Sequence, residues 1–86
     1  MKGYLYILRS QKNGRYYVGS TNDWKRRVKE HNEGNSPYTR ATRPWAVMLI
    51  KEFETVREAR KEELRLKRME NRKLIEDLIK HASWNK

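Results

Sequence analysis

Eighty-six residues leave room for one domain, spanning 1–86, and one small core. The absence of cysteine excludes disulfides and thiolate metal or redox chemistry, and His31 and His81 are too far apart to suggest a zinc site. Twenty-one Lys and Arg against eleven Asp and Glu give a net charge of +10, and the excess is spread along the chain rather than gathered in a tail.

Such a distribution suits a polyanion, and nucleic acid leads because phosphate neutralisation drives its binding. An acidic membrane surface fits less well, since no segment joins a basic face to a large apolar one. No apolar run reaches the length of a signal peptide core or a membrane span, so a cytoplasmic location is expected.

In chain order, YLYILR over 4–9 is aromatic and branched enough for a buried strand. Asn13-Gly14 signals a tight hairpin turn, because both residues tolerate positive φ. YYVGS over 16–20 supplies the antiparallel partner. Thr21 or Asn22 can then cap a helix with Asp23 in its first turn, running through WKRRVKEHNE and stopping at Gly34.

Residues 34–45 read as a turn-rich basic loop, and AVMLIKEF over 46–53 as a third strand. Thr55 and Glu58 form a capping box at the start of a helix reaching about Glu70. Asn71 breaks it before a last amphipathic segment, RKLIEDLIKHA. The expected fold is α+β in the order β-β-α-β-α-α, with a three-stranded, mainly antiparallel sheet covered by helices.

The informative residues are polar ones at apolar spacing. Trp24, Val28 and His31 form one inward helical stripe, and Arg27 falls on it. In the next helix Glu63 sits within the stripe of Val56, Ala59 and Leu66. A carboxylate there must be paired or bind a metal, and a buried ion pair with Arg27 is one way to satisfy it. On the strands, Tyr6 shares a face with Tyr4 and Leu8, and strand tyrosines are ordinarily half-buried packing residues. Gly19, two residues after Tyr17, weakens a strand interior and marks a close approach of backbone or ligand.

Taken together, two tyrosines, an arginine, a histidine and a glutamate meet the needs of phosphodiester hydrolysis. These are a proton acceptor for water, a cation for the phosphate, and an oxygen ligand for a hard divalent ion. No Walker loop, Ser/His/Asp set or zinc motif competes.

At these residues the chain resembles the GIY-YIG nuclease superfamily, particularly its small standalone bacterial members. Tyr4-Leu5-Tyr6 stands at the first motif and Tyr17-Val18-Gly19 at the second. DWKRRVKEHN resembles the family's first helix, and RPWAVMLIKEFETVREARKEELRLKRM its third strand and glutamate helix. The resemblance implies Tyr17 as general base or water-orienting group, supported by Tyr6 and tuned by His31. It implies Arg27 on the scissile phosphate and Glu63 as ligand to one Mg²⁺ or Mn²⁺. A free phenol has a pKa of about 10, so such a base needs help from its neighbours.

Two departures are visible. The first motif has Tyr4 and Leu5 in place of glycine and isoleucine, and Ser20 stands where the family's repair incision subunit has a lysine. Lys25 or Arg26 could supply the missing cation, and Asn71 is the nearest counterpart of a supporting asparagine.

Lys25, Arg26, Arg40 and Arg43 are candidates for DNA backbone contacts, with Tyr38 and Trp45 as stacking surfaces. Trp45, after Pro44, reads first as core packing at the start of the third strand. Phosphate contacts carry no sequence information, so weak sequence preference is expected, with nicked, branched or flapped DNA as favoured substrates. A DNA- or RNA-binding module with little cleavage, or a subunit targeted by a protein partner, are the alternatives.

Overall fold

The computed structural model describes residues 1–69 and 71–81. The elements are β1 (Gly3–Ser10), β2 (Tyr16–Thr21), α1 (Trp24–Asn32), a 3-10 turn (Arg40–Thr42), β3 (Trp45–Phe53), α2 (Val56–Met69) and α3 (Arg72–His81). The α+β class and the β-β-α-β-α-α order are those expected. The sheet is fully antiparallel, with β1 central between β2 and β3. The expected helix end at Glu70 and the Ala82 end of the last segment lie outside the described residues.

Local chemistry sets each boundary. Gly14 takes φ +77° in the hairpin turn, and the buried Ser10 hydroxyl accepts from the Lys12 and Asn13 amides. The expectation of Thr21 or Asn22 as cap of α1 fails. Thr21 is the last residue of β2, and its hydroxyl is taken up by the Asp23 amide at 3.1 Å. Asp23 is therefore itself the N-cap rather than a first-turn residue, its carboxylate accepting from the Arg26 amide at 3.1 Å. Gly34, at φ +82°, ends the run, and its amide donates to the His31 carbonyl. Thr55 caps α2 by accepting from the Glu58 amide, and Asn71 caps α3 by accepting from the Lys73 and Leu74 amides.

Both faces of the sheet are covered, and strand alternation sorts their residues. Leu5, Ile7 and Leu49 point to α2 and α3, where they pack on Leu66 and Ile75. Tyr6 and Leu8 point the other way, against Trp45, Tyr17 and Val28. Leu66 is 2% exposed, and truncating it to alanine is expected to cost about 2–5 kcal/mol. β2 is an edge strand, so groups from the two faces can meet around its free side.

Candidate active site

The register of the hairpin builds the first half of the site. Tyr6 pairs with Gly19 and Leu8 with Tyr17, so both tyrosines project onto the α1 face from adjacent strands, one step apart. Their rings stack at 6.2 Å. Tyr6 is 1% exposed and lies across Gly19, where an added Cβ would collide with its Oη and Cζ. The close approach marked by Gly19 is therefore that of a neighbouring side chain.

From α1, His31 is completely buried against both tyrosines. Its Nε2 is 3.1 Å from the Tyr6 hydroxyl and its Nδ1 2.7 Å from the Thr39 hydroxyl. Burial, aided by the nearby Arg27 charge, pulls the imidazole down to about 4, so it is neutral at pH 7. A neutral ring donates from one nitrogen and accepts at the other, which gives this hydrogen-bonded chain a single direction. Burial, reinforced by the Tyr17 phenol, pushes Tyr6 up to about 12 against the pull of Arg27. Tyr6 and His31 therefore serve as neutral hydrogen-bonding groups near pH 7, while Tyr17 is half-buried at the edge.

The loop that sequence left formless holds this arrangement in place. Thr39 is fully buried, and its carbonyl accepts from the Trp45 indole N–H at 3.0 Å. Asn32, at the end of α1, accepts from the Trp45 amide and donates to the Trp45 carbonyl. Trp45 is 7% exposed, its ring edge-on to Tyr17 at 6.2 Å, so it is a packing residue and not a stacking surface for bases.

The second half comes from α2, on the other face. Glu63 is 7% exposed and accepts from the Ser20 hydroxyl at 2.5 Å and from the Lys67 ammonium at 2.6 Å. Arg27 instead bonds Glu30, one turn along its own helix, at 3.1 Å. The Arg27–Glu63 pair is thus not formed: the two residues approach from opposite faces of the sheet, and each has a nearer partner. Arg27 remains partly exposed beside the tyrosine hydroxyls.

The ammonium that the fold brings beside Tyr17 is that of Lys67, on α2. Its Nζ lies 5.6 Å from the centre of the Tyr17 ring while it bonds Glu63, so it joins the two halves around the β2 edge. Lys25 covers Trp24, and Arg26 stays with Asn22 and Asp23 on the surface. Arg40 and Arg43 bond backbone carbonyls of their own loop, and Tyr38 is 89% exposed. These five are surface residues outside the buried cluster. Asn71 starts α3 and borders the same surface as Tyr17 and Lys67.

A buried and a half-buried tyrosine, a partly exposed arginine and a buried carboxylate gather at one sheet edge, an arrangement of the nuclease type. The comparisons agree, and the chain belongs to the GIY-YIG family, whose description as GIY-YIG catalytic domain matches residues 2–76. Over 71 residues it is 42% identical to the UPF0213 protein RBAM_000440 of Bacillus velezensis, covering 81% of this chain and 71% of the relative. It is 35% identical over 85 residues to a UPF0213 protein of Streptococcus pneumoniae serotype 4, covering 98% of this chain and 85% of that one. The solution NMR structure of the UPF0213 protein BH0048 from Bacillus halodurans shares the fold, with a TM-score of 0.59 and 33% identity, over 93% of this chain and 84% of that chain. The family supports a nuclease-type function with DNA as substrate.

Proposed function

We propose that this protein is a divalent-metal-dependent DNA endonuclease of weak sequence specificity, acting in cytoplasmic DNA repair or processing. One observation carries the reading: Tyr17 stacks on the Tyr6–His31 pair on one face of the β2 edge, while Ser20 and Glu63 meet on the other.

In this reading Tyr17, the half-buried member of the tyrosine pair, takes the proton of the attacking water. Tyr6 and His31 hold its ring, and their neutrality keeps competing charges away from the proton transfer. Arg27, with part of its guanidinium exposed beside the phenols, holds the scissile phosphate and offsets the charge that develops there.

Among the described residues no group of three or more His, Cys, Asp and Glu gathers around a point. One buried carboxylate with a hydroxyl beside it still fits a hard cation that keeps most of its water, and the Lys67 ammonium shows that Glu63 accepts a positive charge. Glu63, aided by Ser20, would hold Mg²⁺ or Mn²⁺. The ion would supply charge stabilisation at the phosphate.

The test is incubation of purified protein with supercoiled, nicked and branched DNA in Mg²⁺ or Mn²⁺. Cleavage is expected, leaving a 5′-phosphate and a 3′-hydroxyl, with Tyr17→Phe and Glu63→Ala inactive but still bound to DNA. Wild-type rates in either variant would overturn the mechanism. Binding without cleavage across all substrates would make the protein a binding module.

A further inference from the structure

The free edge of β2 also borders a cleft of about 340 Å³, enclosed by the last turn of α2 and the start of α3. Its floor is apolar, built from the buried Leu66 and Ile75, and its exposed lining carries Arg15, Lys67 and Arg72. Among the described residues no acidic side chain lines it, though Lys67 is paired with Glu63 and Arg72 with Glu76 at its border. Tyr17 and Lys67 belong both to this cleft and to the candidate active site, so the two are continuous. Resting on the nuclease reading above, we propose that the cleft receives one unpaired nucleotide of the DNA substrate, next to the scissile phosphate.

Charge, size and position together favour this occupant. Three cations over an apolar floor suit a ligand with an anionic backbone and a flat, weakly polar body. The volume falls at the low end for small-ligand pockets, enough for one nucleotide but not for a base pair with both its backbones. A nucleotide can enter only if it is already unpaired or is drawn out of the helix, and a flap or gap makes that easiest.

The cations are suitably placed for such a role. Arg72 is held over the Tyr16 ring at 5.2 Å and bonds Glu76 at 3.2 Å, which fixes one wall. Arg15 is exposed, and among the described residues its guanidinium makes no ion pair or hydrogen bond, so it is free to meet a phosphate. Tyr17 is already surrounded by Tyr6, His31, Trp45 and Lys67, so the nucleotide would rest on the apolar floor, and stacking on that ring is not required.

The experiment is fluorescence anisotropy in EDTA, which reads binding without cleavage, on 5′-flapped, 3′-flapped and blunt duplexes of equal length. Wild type is expected to prefer one flap over the blunt duplex by about tenfold, the worth of one good charge-assisted contact. Arg15→Glu should abolish that preference, losing far more affinity for the flap than for the duplex. Arg72→Ala should reduce it, and circular dichroism should show both variants folded. Equal wild-type affinity for all three, or an equal loss on flap and duplex in Arg15→Glu, overturns the subsite.

A second measurement uses deoxyadenosine 5′-monophosphate as probe and NMR shift mapping. Shifts confined to residues 15–18 and 66–75 support the cleft, and shifts elsewhere refute it. The two proposals fail separately. Cleavage without flap preference sinks only the subsite, while flap-selective binding without cleavage on any substrate sinks only the nuclease reading.

Discussion

Gly19→Ala tests whether the tyrosine pair is held by packing as closely as the register implies. A Cβ at this position would lie on top of the Tyr6 Oη and Cζ and 2.9 Å from Cε1. Tyr6 is 1% exposed and enclosed by Tyr17, His31 and the α1 face, so the ring has no empty space to enter. Overpacking of this kind costs about 1–3 kcal/mol. Displacing the ring also breaks its bond to His31, a further loss of about 0.5–1.5 kcal/mol. The sum is about 1.5–4.5 kcal/mol, which at about 4–8 °C per kcal/mol in a domain of this size lowers Tm by roughly 6–36 °C.

Thermal unfolding followed by circular dichroism reads the loss directly, and a double-mutant cycle assigns its cause. Combining Gly19→Ala with Tyr6→Leu, which removes the ring atoms that collide, should cost clearly less than the two single changes added together. A wild-type midpoint in Gly19→Ala, or strict additivity in the cycle, would refute the packing argument. Either result would mean that the second-motif glycine serves something other than the Tyr6 ring.

Two further outcomes follow from the same geometry. His31 titrates near 6.5 when unfolded but near 4 in the fold, so between these values the unfolded chain binds more protons. Stability is therefore full above about pH 6.5 and falls as pH drops toward 4, by up to about 3 kcal/mol; urea midpoints across this range should follow, and a flat profile would contradict the burial of a neutral imidazole. Lys67→Met removes the ammonium that competes for Glu63, so Mn²⁺ affinity read by titration calorimetry should rise by roughly 1.5- to fivefold, the worth of one partly exposed ion pair. An unchanged or weaker affinity would show that Glu63 is not the metal-binding group.

Sequence pattern revealed most of the fold because each element carried its own signal. A continuous aromatic and branched run marks β1, Asn13-Gly14 marks the turn to β2, and Thr55 and Asn71 mark the starts of two helices. The inward placement of His31 and Glu63 was also legible, since 3.6-residue spacing puts both among apolar neighbours that the fold buries. What each residue touches was not legible. Thr39 and Asn32 gave no periodic signal, because a loop threonine and a helix-end asparagine become important only when the chain brings Trp45 beside them. Lys67 did carry one, four residues after Glu63 on the same helix face, where an acid followed by a base forms a pair.

The β2 edge explains why residues from opposite faces of a sheet can act at one place. Tyr17 and Glu63 are separated by the strand itself, since alternation sends Tyr17 toward α1 while Ser20, across from Leu5, turns toward α2. Only at a free edge can a side chain bridge the two faces, and Lys67 does so, bonding Glu63 while covering the Tyr17 ring. Had β2 been central, the next strand would separate the carboxylate from the phenol, and the same residues would be structural. The strand order β2-β1-β3 is therefore a functional feature as much as a topological one. Under the proposed function, DNA would approach along the open side of β2, where Arg15 and Arg72 lie within the same cleft as Tyr17.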